Sequence, residues 1–132
     1  MRHFVKYQLA MIVWALLIFL ASSIPSQYLI KFGLSNYDKA IHVAAFFILG
    51  WLSHRACVHQ GRVPRIRDYS KLFSFVFVLL YGVVDEVHQA WTPGRSVDMI
   101  DILADAAGGG LFLAAVWLAG RLKLGRTGQE RA

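Results

Sequence analysis

No disulfide can brace this chain from within, because Cys57 is its single cysteine. Proline is confined to Pro25, Pro64 and Pro93, and none of the three interrupts an apolar run. Acidic residues are also scarce, with 8 Asp and Glu against 14 Lys and Arg for a net charge of +6. What remains is apolar: 57% of the 132 residues are hydrophobic, above the roughly 45–50% of a soluble domain. That excess excludes an ordinary soluble fold and reads as one small, all-α integral membrane domain.

Four windows approach the 20 or so residues that cross a hydrocarbon core of about 30 Å, namely Tyr7–Ile24, Lys39–Cys57, Leu72–Trp91 and Val97–Leu118. The first follows basic residues and ends in Ala21, Ser22 and Ser23, as a secretory signal would. Its apolar run nevertheless exceeds the 7–15 residues of a signal core, so a retained anchor is expected. Residues 1–120 are read as one transmembrane domain and 121–132 as a short, solvated basic tail.

Basic residues orient the bundle. Arg2, Lys6, the loop cluster Arg55, Arg62, Arg65, Arg67 and Lys71, and the tail residues Arg121, Lys123, Arg126 and Arg131 would face one side. Only Lys31, Lys39 and Arg95 fall on the other. The positive-inside rule therefore places both termini in the cytoplasm, and the positive charge suits anionic lipid headgroups. No nucleic-acid partner is expected, since the Arg-rich loop is short and lacks interleaved aromatics.

Breaks between the spans carry their own signals. Pro25 ends the first span and begins a segment along the outer surface to Tyr37, where Asn36 is expected to cap the second span. Thr92-Pro93-Gly94-Arg95-Ser96 suggests a type II turn with Ser96 as the cap of the fourth span. So short a connection makes spans three and four antiparallel neighbours. Gly108, Gly109 and Gly110 suggest close helix packing in mid-membrane, with a flexible point or room for a ligand as the alternative.

Six of the eight acids then fall at one depth, near the outer ends of their helices: Asp38, Asp85, Glu86, Asp98, Asp101 and Asp105. Ionisable groups inside a span cost roughly 2.5–3.5 kcal/mol each on insertion scales, so they usually line a cavity or a functional site. Helical spacing puts Asp38 with His42, Asp85 with His88 and Gln89, and Asp98 with Asp101 and Asp105 on shared faces. Glu86 projects about 100° from Asp85, so both face the bundle only if that helix is covered on two sides. Tyr81, one turn earlier, is within reach of Asp85.

Three chemistries fit this set. A carboxylate-x-x-His spacing at Asp85 and His88, with His42 and Asp38 or with Asp101 and Asp105, could hold a divalent cation. A carboxylate with His88 or His42 could perform acid/base work while Arg95 holds an anionic headgroup. A satisfied structural network is the third.

Taken together, D-K-x-x-H-x-x-x-F from Asp38 to Phe46, Y-G-x-x-D-E-x-H-Q from Tyr81 to Gln89, P-G-R at Pro93–Arg95 and D-x-x-D-x-x-x-D-x-x-G from Asp98 to Gly108 resemble the VanZ-like family. The resemblance spans roughly Pro25 to Leu118, although the family often carries Asn where this chain has Asp105. It implies a small bacterial inner-membrane protein, multi-pass, whose namesake is associated with low-level resistance to the glycopeptide teicoplanin. The family's motif residues fall on Asp38, Lys39, His42, Asp85, Glu86, His88, Gln89, Pro93, Arg95, Asp98, Asp101 and Gly108.

The resulting expectation is a bundle of four transmembrane helices with an outward-opening polar pocket for an envelope lipid or a lipid-linked anionic substrate. Asp85, Glu86, His88 and Asp101 would do acid/base or cation work. Lys39 and Arg95 would hold the anionic group, with Asp38, His42, Gln89 and Asp98 as further binding residues. A proton- or cation-linked transporter, or an accessory membrane subunit, is the competing expectation.

Overall fold

Four long helices carry the chain in the computed structural model, which describes residues 4–129. Arg2 and Arg131, among the basic residues that orient the bundle by sequence, lie outside them. A π-helical turn at Phe4–Gln8 leads into α1 (Leu9–Ser22), and a short α2 (Ser26–Lys31) follows Pro25. After a 3₁₀ turn at Ser35–Tyr37 come α3 (Asp38–His59), a short α4 (Pro64–Asp68), α5 (Ser70–Gln89) and α6 (Met99–Gln129). Among the described residues there is no strand. The backbone after residue 120 is helical to Gln129.

Among the described residues three helices, not the expected four, are long and apolar enough to cross a membrane: Val5–Ser22, Asp38–His59 and Met99–Leu122. The exception is α5. Lys71 near its start and Asp85, Glu86, His88 and Gln89 near its end leave an uncharged stretch only from Leu72 to Val84.

Helices α3 and α6 form the most extensive contact, α5 packs on both, and α1 leans more lightly against α3 and α5. Small residues set these distances. A Cβ on Gly108 would collide with the backbone oxygen of Val43 and stand 2.9 Å from the Phe47 nitrogen, so α6 lies directly against the backbone of α3. A Cβ on Gly109 would stand 2.8 Å from Val78 of α5, whereas Gly110 faces open space. Close packing therefore accounts for Gly108 and Gly109.

The helices alternate in direction. Ser22 at the end of α1 reaches Asp85 at the end of α5, and His42 near the start of α3 reaches Asp105 of α6. At the opposite end the Tyr7 ring stacks on His59, and the Arg55 guanidinium lies over both Tyr7 and Trp51.

The interior is unusually polar. Alongside Phe46, Leu49, Val78 and Phe112, the fully buried side chains include Glu86, Gln89, Asp105, Ser53 and Ser74. Large apolar residues such as Leu16, Leu80, Leu103 and Trp117 are exposed instead. Apolar surface outside and carboxylates inside suit a lipid solvent, because the exposed belt would be costly in water.

Candidate functional site

The connection between α5 and α6 gathers the polar residues. Gly94 has φ +76°, and the Arg95 N–H donates to the Thr92 carbonyl at 3.1 Å, which makes Thr92–Arg95 the expected type II turn. The Thr92 hydroxyl donates to the Ser22 carbonyl, and the Ser26 N–H donates to the Pro93 carbonyl, at 3.4 Å each. The turn is thereby tied to the end of α1 and the start of α2.

Asp98, rather than Ser96, caps α6, its carboxylate accepting the Ile100 N–H at 2.8 Å. Its own N–H donates to Glu86 Oε2 at 2.9 Å. Hydrogen bonds from Lys39 and then from Ile100 hold the Asp98 carboxyl below the usual carboxylate range. The start of α3 also differs from expectation, since Tyr37 occupies the cap position without a side-chain bond and Asn36 lies inside the preceding 3₁₀ turn.

Three linked groups follow. Lys39 Nζ donates to Asp98 at 2.7 Å and to Asp101, and lies 3.5 Å from Asp38. His42 Nδ1 pairs with Asp105 Oδ1 at 2.8 Å. Asp85 Oδ2 accepts from Ser22 Oγ at 2.8 Å and from Gln89 Nε2 at 3.1 Å, while Gln89 Oε1 accepts from Arg95. Arg95 is also 3.8 Å from Asp38 Oδ1, which connects the last group to the first.

Covered by α1 on one side and by α3 and α6 on the other, α5 buries Asp85 and Glu86 together, at 2% and 0% exposure. Five buried side-chain atoms among the described residues lack a partner, and four belong to this region: Asp85 Oδ1, Glu86 Oε1, Asp105 Oδ2 and Arg95 Nε. Such atoms are rare in folded proteins, and a cluster of them marks a place suited to take up a ligand, an ion or a proton.

Beside the cluster runs a groove of roughly 410 Å³, within the range of small-molecule sites. Trp14, Leu17, Ile18 and Ala21 of α1, Leu29 of α2, and Ile41, Ala45 and Phe46 of α3 give it apolar walls. Asp38, His42, Asp85 and Arg95 supply its polar groups.

A family model described as VanZ/LLP1 matches residues 7–120. The chain belongs to the VanZ/LLP1 family. Among curated proteins and among solved structures nothing matches it. In this VanZ/LLP1 chain the structure brings Asp38, Lys39, His42, Asp85, Glu86, Gln89, Arg95, Asp98 and Asp101 into one connected region. His88 stands apart, stacking on Phe19 at 4.0 Å and sharing a hydrogen bond with Ser23 at 2.9 Å, on the face toward α1. Tyr81 donates to the Ala15 carbonyl at 2.5 Å instead of to Asp85.

Two features escaped the sequence reading. Ser22 is a direct partner of Asp85, and only the serine pair closing the first apolar run signalled it. Gly82 admits the Asp105 side chain, whose Oδ2 would lie 2.8 Å from a Cβ at that position. The glycine-for-space logic applied to Gly108 would have found it.

Proposed function

We propose that this VanZ/LLP1 protein is a multi-pass protein of the bacterial inner membrane, with both termini cytoplasmic, that binds an envelope lipid or lipid-linked cell-wall component in the groove. In this reading α5 completes the bundle as a fourth crossing, its polar end sheltered by the other helices. The observation that carries the proposal is the groove's composition: apolar walls long enough for part of an acyl chain, with Arg95, Asp38, His42 and Asp85 among the lining residues. An amphiphile has the same division.

Arg95 is the group for an anionic oxygen. Its side chain is 11% exposed, it lines the groove and its Nε has no partner, and a guanidinium suits phosphate or carboxylate. The anion-holding role expected jointly of Lys39 and Arg95 passes to Arg95 alone, because Lys39 is taken up by three carboxylates. Asp85 and Glu86 are positioned to hold a proton or a cation beside the bound headgroup.

Native mass spectrometry of the purified protein tests this. The wild type is expected to retain an anionic lipid through detergent exchange. Arg95→Gln should lower retention at least tenfold, and Ala21→Phe, which fills the groove from an exposed position, should lower it similarly. Ala21→Phe should keep the wild-type melting midpoint, and Arg95→Gln, which gives up the Asp38 pair, should remain folded with a lowered one. Equal retention by all three proteins would remove the basis for the proposal.

Cation- or proton-linked transport is the second reading, favoured by the unpartnered oxygens of Asp85, Glu86 and Asp105. It shares the cluster but gives the groove no role.

A further inference from the structure

We infer that His42, Asp85 and Glu86 form a site for one divalent cation of the zinc type. Each residue offers one ligand atom, these atoms lie within 4.8 Å of one another, and all three residues are buried. Donors around a tetrahedral zinc at 2.0–2.2 Å are about 3.4 Å apart, so modest side-chain rotation closes the site. The inference is independent of the lipid reading, since it rests on donor atoms alone.

Three observations separate this group from a chance cluster of acids. Asp85 Oδ1 and Glu86 Oε1 are buried and unpartnered, each on a residue at least nine-tenths buried. Their second oxygens are already satisfied, by Ser22 and Gln89 on Asp85 and by the Asp98 N–H on Glu86, so each carboxylate is held through one oxygen with the other unspent. His42 supplies the third observation. Its Nδ1 is bonded to Asp105 at 2.8 Å, which with the proton on Nδ1 leaves Nε2 as a lone-pair donor. Metal-bound histidines are commonly oriented in this way, by a carboxylate that accepts the other ring N–H.

Electrostatics agree. Two buried carboxylates with no fixed cation on their free oxygens are costly, and a divalent ion would neutralise them. The neighbouring group of Asp38, His42 and Asp101 also has ligand spacing, but the Lys39 ammonium already sits on Asp38 and Asp101. Mixed nitrogen and oxygen donors favour zinc or a similar transition ion over magnesium or calcium. His42 and Asp85 also line the groove, so remaining coordination positions would face it, open to water or to an anionic oxygen.

The test uses the full-length protein in detergent, stripped with chelator and freed of lipid, with Zn²⁺ and Co²⁺ as probes. One Zn²⁺ per chain is expected by elemental analysis after desalting, together with a raised melting midpoint. Co²⁺ should give visible d–d absorption. Glu86→Gln and Asp85→Asn should each weaken binding at least 100-fold, and Asp105→Asn about 10–100-fold as an orienting residue. Asp68→Asn, at an exposed carboxylate of α4 outside the cluster, should bind as the wild type does. A folded wild type that takes up no Zn²⁺ and shows no Co²⁺ spectrum overturns the inference, as does unchanged affinity in Glu86→Gln and Asp85→Asn. Should those two variants melt early without metal, the wild-type stoichiometry and the comparison of Asp68→Asn with Asp105→Asn still decide. Lipid retention is measured separately, so failure of one proposal leaves the other standing.

Discussion

Lys39→Met is expected to destabilise the protein by about 2–3 kcal/mol, less than the roughly 3–5 kcal/mol for a fully buried pair, because Lys39 is 44% exposed. The loss comes from Asp101, whose side chain is 6% exposed and would lose its counter-ion. Asp101→Asn should be nearly neutral, since the amide oxygen still accepts from Lys39 and the ammonium still reaches Asp98. The double variant Lys39→Met with Asp101→Asn should recover most of the lost stability. Thermal melts of the four proteins in one detergent check the ordering. A double variant no more stable than Lys39→Met would mean that Lys39 acts through packing rather than through its charge.

Gly108→Val should cost at least the roughly 1–3 kcal/mol typical of overpacking, because the obstacle is the α3 backbone at Val43 and Phe47 rather than a movable side chain. Since α3 and α6 make the most extensive helix contact, separating them loosens the whole bundle. Gly110 provides the control. A Cβ there meets nothing within 4 Å, so Gly110→Ala should be neutral or stabilising by about 0.5–1 kcal/mol through helix propensity. Similar melting midpoints for the two variants would contradict the close-packing explanation.

Much of the fold was legible because long apolar runs and their breakers act locally. Pro25 and the Thr92–Arg95 turn lie between helices as read, Pro64 opens the short α4, and the boundaries of α3 and α5 moved by only a few residues. Capping was less legible. Asp98 outcompeted Ser96 because its carboxylate reaches the Ile100 N–H while its own N–H serves Glu86, a long-range bond that no local rule anticipates.

At α5 length and composition do not match the expected fourth crossing, since Asp85, Glu86, His88 and Gln89 end its apolar run. A helix shielded by three others can carry Asp85, Glu86, His88 and Gln89, and composition alone cannot express that shelter. The gathering of the acids followed from helix direction and 3.6-residue spacing, which bring Asp38, Asp85, Glu86 and Asp101 to one end. The departure of His88 did not. It lies on the rim of the polar face of α5, and Phe19 and Ser23 of α1 decide which way it turns.

The most direct test of the central claim, that the groove and its polar cluster form a site for a lipid headgroup, is a crystal structure grown from a lipid mesophase. Continuous acyl density along Trp14, Leu17 and Ile41 is expected, ending in a headgroup oxygen within hydrogen-bond distance of Arg95. A groove closed by α1 settling onto α3, with lipid confined to the outer belt and Arg95 paired only with Gln89 and Asp38, would contradict it.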